Sequence, residues 1–224
     1  EDDQNIKLLG KAFDANYGWK LYNIFNNIVQ GNETAESIID YYRNIYPSYP
    51  KGTFPLLFIT NHDENSWNGT EIERLGVTYK TFAVLTFTLP GIPLIYSGQE
   101  IPLEKRLKFF DKDEIDWSNI RLHTFYKDLI DLKKNNQALW NGNYGGEVKF
   151  LATNDSNVLA FERNKGSNTV IGIFNLQNRS TRVEINYDLY KGKFKVFGKN
   201  ETINIEEKGI FKLKPWEYII MIKT

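Results

Sequence analysis

Two polar clusters, each closing a short apolar run, hold the side chains best suited to chemistry. The first, Asn61-His62-Asp63-Glu64-Asn65-Ser66-Trp67-Asn68-Gly69, follows directly on Leu56-Leu57-Phe58-Ile59-Thr60. It brings carboxylate, imidazole, carboxamide and indole together, groups that can move protons, hydrogen-bond hydroxyls and cover an apolar ring face. The second, Tyr96-Ser97-Gly98-Gln99-Glu100, has a glycine to turn the chain. Asp111 and Asp113 also lie close together, but two carboxylates without further oxygen ligands fall short of a calcium site, so no metal or cofactor is expected. With no cysteine in the chain, disulfides and thiolate chemistry are excluded.

These clusters need a scaffold, and the first part of the chain reads as βα units. Short apolar runs at residues 55–60 and 91–96, with a weaker one at 12–17, are predicted as strands buried on both faces. Helical spacing surrounds them: Trp19, Tyr22, Phe25 and Ile28; Ile38, Ile39, Tyr42 and Ile45; Leu75, Phe82, Ala83 and Thr86; Leu122, Phe125, Leu129 and Leu132. In a parallel sheet the loops after the strands form the site, which is where both polar clusters fall. Past Gly146 the helical spacing stops. Short β-rich runs follow at 148–152, 158–163, 169–175, 182–185, 193–196, 211–213 and 218–222, separated by turn residues such as Asn154-Asp155-Ser156-Asn157. An antiparallel sandwich is expected there, with a domain boundary near residue 140, giving domains 1–140 and 141–224.

Composition narrows the ligand. At 224 residues with 41% hydrophobic side chains the chain can bury a core. Lys plus Arg and Asp plus Glu stand at 28 each, so no net field draws in nucleic acid or an anionic membrane, and a neutral ligand is favoured. No stretch approaches the roughly 20 apolar residues of a membrane span. The start, Glu1-Asp2-Asp3-Gln4, lacks the features of a signal peptide, and processing or truncation is expected to have removed what came before.

Five stretches carry a family resemblance. Phe58-Ile59-Thr60-Asn61-His62-Asp63 resembles the seventh-strand motif of the α-amylase family of glycoside hydrolases, and Gly91-Ile92-Pro93-Leu94-Ile95-Tyr96-Ser97-Gly98-Gln99-Glu100 resembles its eighth-strand segment. Phe13-Asp14-Ala15-Asn16-Tyr17-Gly18-Trp19 is similar to its sixth-strand region. The loop and helix Asn65-Ser66-Trp67-Asn68-Gly69-Thr70-Glu71 with Glu73-Arg74-Leu75-Gly76, and the link Phe109-Phe110-Asp111-Lys112-Asp113-Glu114-Ile115-Asp116-Trp117, complete the series in order. The resemblance implies part of a (β/α)8 TIM barrel, strands six to eight with their helices, followed by the family's C-terminal β-sandwich. It implies a retaining hydrolase of α-1,4-glucosidic bonds in starch, maltodextrin or cyclodextrin, whose polysaccharide substrates favour a secreted, periplasmic or cell-surface setting. Matched by motif, Asp63 is the catalytic transition-state stabiliser, and His62, Asn65 and Trp67 are the substrate-binding residues.

The same resemblance implies that the nucleophile and the general acid, borne by strands four and five in the family, are missing. The chain therefore reads as a fragment, inactive alone, whose partner is the missing N-terminal part of the barrel. A transglycosylase of the same fold and a non-catalytic carbohydrate-binding module are the alternatives, although the sandwich runs show no exposed aromatic row. Plainer roles are also open: His62 and Asp63 as a helix-capping pair, Glu100 as a cap or loop anchor, His123 as a structural histidine, Trp19, Trp140 and Trp216 as core or interface, and Trp117 as packing near the rim.

Overall fold

A computed structural model describes residues 3–186, 191–205 and 208–224. The first part carries three parallel strands, β1 (Ala15–Tyr17), β2 (Phe54–Leu57) and β3 (Ile92–Pro93), in the order β1-β2-β3. Between and after them run α1 (Trp19–Val29), α2 (Ala35–Asp40), α3 (Glu71–Leu75), α4 (Tyr79–Thr88) and α5 (His123–Asn135).

The strands are shorter than the apolar runs predicted. Past Leu57 the Ile59 carbonyl accepts from Arg74 Nη2 at 2.9 Å, a side chain in place of a ladder partner. Past Pro93 the Leu94 amide still reaches Leu57 O, but Gln99 Oε1 then captures the Tyr96 amide at 2.6 Å and turns the chain. Residues 12–14 precede β1 as loop. The single helix expected through Leu75 and Thr86 is two, because Gly76 takes a positive φ of 53° and breaks the helical path. Thr70 and Glu73 form a capping box that starts α3. Beyond α2 the chain winds on through a π turn at Tyr41–Ile45.

The remainder is all β, as expected. β4 (Val148–Phe150), β5 (Val158–Lys165), β6 (Asn168–Asn175), β7 (Thr181–Asn186), β8 (Gly192–Val196), β9 (Thr202–Ile205), β10 (Lys208–Leu213) and β11 (Tyr218–Lys223) follow in order. Six form a sheet ordered β4-β5-β6-β11-β8-β9, all antiparallel, and β7 pairs with β10. β9 is an addition to the sequence reading.

Alternation along the central strands divides the core in two. Leu159, Phe161, Val170, Phe174 and Ile220 face the helices and join one cluster with Phe25, Phe82 and Leu129. Their neighbours Val158, Ala160, Ile171, Ile173 and Met221 face the other way, onto Val183, Ile185, Phe211 and Leu213 of β7 and β10. The six-stranded sheet is thus covered on both faces, which is why its strands read as unbroken apolar runs. No helix among the described residues is long and apolar enough to cross a membrane.

Candidate functional site

The chain leaves β2 through Phe58, which is buried and meets Tyr17 and Trp19 edge-on and stacks on Tyr22. β1 can lie this close because residue 18 is glycine: a Cβ there would stand 2.8 Å from the Leu56 carbonyl. This aromatic floor sets the height at which residues 61–63 emerge. Asn61 is buried and its Oδ1 accepts from the Glu64 amide at 2.8 Å, so the chain turns into a π turn at Glu64–Asn68. His62 and Asp63 stand at the start of that turn with side chains 52% and 38% exposed, open to a ligand. His62 Nε2 lies 3.6 Å from Asp63 Oδ1, adjacent without a hydrogen bond.

An aromatic rim surrounds the pair. Tyr17 is 6.4 Å from the His62 ring, Phe109 stacks on that ring at 5.9 Å, and Trp67 lies 5.4 Å from Phe109 and 6.1 Å from Phe110. Trp67, Phe109 and Phe110 are all exposed. The sequence motif marks Trp67 as substrate-binding and Phe109 and Phe110 only as motif residues; adjacent aromatics in a polar loop are the signal for these two.

Asn65 does something other than expected. It is buried; Oδ1 accepts from the Leu107 amide at 2.8 Å and Nδ2 points to the Lys105 carbonyl at 3.4 Å. Both ends of its amide are committed to the loop that presents Phe109, so a contact with sugar hydroxyls is not open to it here. The same loop is held by Arg106 in a two-pronged pair with Glu73, and by Asp113, which accepts from Lys105 and from the Lys108 and Glu114 amides. Lys105 draws the Asp113 carboxyl down to about 2.

Glu64, unremarked in the sequence reading, anchors the turn from below. Its buried carboxylate accepts from the Tyr22 hydroxyl and from Asn68 Nδ2 at 3.1 Å. Burial pushes the Tyr22 phenol well above its ordinary range, with Arg74, 5.1 Å from the ring centre, pulling the other way. In the second cluster, Gln99 is buried between the Tyr96 amide and the Tyr126 hydroxyl, and Glu100 offers its backbone carbonyl to Leu122, a loop anchor.

Two of the other tryptophans, Trp140 and Trp117, depart from the packing expectation. Trp19 and Trp216 are half-buried, but Trp140 and Trp117 are 40% and 48% exposed, and His123 is exposed at the start of α5. Clefts of about 340 to 690 Å³ indent the surface elsewhere, and none of these five is lined by His62, Asp63 or Trp67. Asp63 thus lies outside these five clefts, on the exposed face beside the aromatic rim.

Residues 148–220 match the family described as maltogenic amylase, C-terminal domain. The chain is 24% identical to a maltogenic α-amylase of Bacillus acidopullulyticus, over 96% of its own length and 37% of that protein. It is 28% identical to a cyclomaltodextrinase of Geobacillus thermopakistaniensis, over 84% of its length and 32% of that protein. It therefore spans about a third of these curated relatives. A maltogenic α-amylase from Thermotoga neapolitana superposes with a TM-score of 0.81 at 18% identity, covering 97% of this chain and 52% of the other, which shows a shared fold.

Proposed function

We propose a function from the premise that this chain belongs with the α-amylase family of glycoside hydrolases. Residues 1–140 are read as the last three βα units of a (β/α)8 barrel and 141–224 as the C-terminal sandwich. The whole enzyme cleaves α-1,4-glucosidic bonds in maltodextrin, starch or cyclodextrin with retention, through a glycosyl-enzyme intermediate. Asp63 hydrogen-bonds sugar hydroxyls more strongly as the ring gains oxocarbenium character, so it lowers the barrier without bonding to carbon. His62 donates to a hydroxyl of the same sugar, and Trp67 with Phe109 gives ring faces on which it rests.

The observation that carries this reading is the half-exposed Asp63, just past the C-terminal end of β2, beside an imidazole and a rim of exposed aromatics. Among the described residues β1 and β3 each pair with β2 alone, leaving two edges of the sheet to which further parallel strands can add. Those strands would bring the opposite wall, the nucleophile and the general acid. Among the described residues near Asp63, three carboxylates are already engaged and do not replace them: Glu64 is buried on Tyr22 and Asn68, Glu73 is held by Arg106, and Asp113 by Lys105. The chain alone is expected not to hydrolyse glucan.

The test is Asp63→Asn in the enzyme reassembled with its complementary barrel strands. The carboxamide is isosteric and half-exposed, so folding should be unaffected, whereas turnover on maltoheptaose should fall by about a thousandfold or more. Near-full turnover would remove Asp63 from the mechanism.

A further inference from the structure

A second concave surface lies at the opposite end of the parallel strands from Asp63. Lys51, Gly52 and Phe54, where the chain enters β2, form one wall of a cleft of about 690 Å³, and the segment from Trp140 to Tyr144 forms the other. A further depression of about 470 Å³ shares Trp140 and Asn141 with it, so the indole stands between two hollows. Both volumes fall in the range of small-ligand sites. Trp140 is 40% exposed and Tyr144 75%.

Exposed rings of this size are costly to leave in water, at about 25 cal/mol per Å² of apolar area. The backbone that carries them is nevertheless fixed. Arg163 donates to the carbonyls of Leu139 and Trp140, Asn141 exchanges two hydrogen bonds with the Gly91 backbone, and Lys165 Nζ donates to Asn143 O at 2.7 Å. The indole Nε1 itself donates to Lys134 O at 3.1 Å, which sets its plane. A platform held this way loses little freedom when a ligand lands on it.

The chemistry of the walls selects the ligand. Neither hollow is lined by a carboxylate; Lys133 is occupied with the carbonyls of Phe87 and Leu139, while Lys51 lines the first hollow and Lys134 the second. Aromatic faces, a carboxamide at Asn143, backbone groups near Gly142 and the Lys51 ammonium, which can donate to hydroxyls, suit a polyhydroxyl ring better than a metal. We propose that this cleft is a second sugar site, remote from Asp63, in which Trp140 and Tyr144 stack on the pyranose faces of a maltooligosaccharide. The choice of an α-glucan rests on the function proposed above; the existence of the cleft does not.

The test is fluorine NMR of the full chain labelled with 5-fluorotryptophan, with resonances assigned by Trp140→Phe and Trp67→Phe. Titration with maltoheptaose to about 10 mM should shift the Trp140 resonance, and Tyr144→Ala, a substitution at a 75% exposed side chain that leaves the fold intact, should weaken binding about fivefold. Asp63→Asn should leave the Trp140 response unchanged. A Trp140 resonance that ignores maltoheptaose while Trp67 responds would overturn this site and leave the proposed function standing. Response at Trp140 without response at Trp67 would support the site, because the face around Asp63 is incomplete in this chain. An equal response to cellohexaose, or a Trp140 shift that follows protein concentration without sugar, would also overturn it, the latter by showing a second copy of the chain in the cleft.

Discussion

Arg163→Met tests how the sandwich is fastened to the helices. Arg163 is 1% exposed and its guanidinium donates to four backbone carbonyls: Gly146 at 3.0 Å, Thr88 at 3.1 Å, Leu139 at 3.2 Å and Trp140 at 2.5 Å. Methionine fills much of the space but donates nothing. Leu139 O keeps Lys133 Nζ at 3.0 Å, so three carbonyls lose the guanidinium. At about 1–3 kcal/mol for each stranded buried group, the loss is about 3–9 kcal/mol. Removing a buried cation recovers part of this. Burial pulls the Arg163 pKa down from 12.5 to about 10, against the Tyr42 and Tyr46 hydroxyls that raise it, a desolvation cost of about 3 kcal/mol. The difference centres on a net destabilisation of about 3 kcal/mol, from about 0 to 6. In urea unfolding followed by circular dichroism, that is a midpoint about 1–2 M lower with an unchanged slope. A midpoint within about 0.3 M of the parent would refute the claim that these four contacts outweigh the buried charge.

Three other changes probe separate parts of the fold. Glu71 is buried in the first turn of α3, and burial raises its carboxyl from 4.5 to about 6. Because the folded state holds the proton more tightly, the group's stabilising contribution is complete below pH 4.5 and lost as pH rises through 6, so Glu71→Gln should add up to about 2 kcal/mol at pH 7 and almost nothing at pH 4, read as melting temperature against pH. Gly145→Ala would place its Cβ 1.7 Å from the Trp140 carbonyl, and should cost more than about 3 kcal/mol or prevent folding, seen as loss of soluble protein. Asn65→Ala should cost about 1–3 kcal/mol and speed hydrogen exchange at the Leu107 amide, which loses its acceptor; unchanged exchange there would contradict the loop-holding role.

What the sequence made legible follows the range of the interactions involved. Periodicity located α1 and α5 because Phe25, Ile28, Leu129 and Leu132 all face one core. α4 was harder to delimit: every residue from Thr81 to Thr88 is buried, so it has no polar face to mark its ends. β9 was missed although Thr202-Ile203-Asn204-Ile205 alternates, because four residues carry little pattern. At the site, Asp63, His62 and Trp67 were legible from a motif within a few residues of β2. The work of Asn65 and Glu64 was not, since the partners that decide it, Leu107 and Tyr22, lie 42 positions away in each case. Nor could spacing show that Trp140 faces outward, because its exposure depends on a clamp from Asn141 to Gly91, 50 residues back.

The six-stranded sheet is a shared wall rather than an appendage. Phe161, Phe174 and Ile220 complete the core that Phe25 and Phe82 begin, and Thr81 Oγ1 reaches across to Trp216 O at 2.6 Å. Separating the parts on either side of residues 140–148 would expose apolar surface on both, so neither should stay soluble when produced alone. Grafting a foreign sandwich onto these helices would demand that its outward face be recut to fit them.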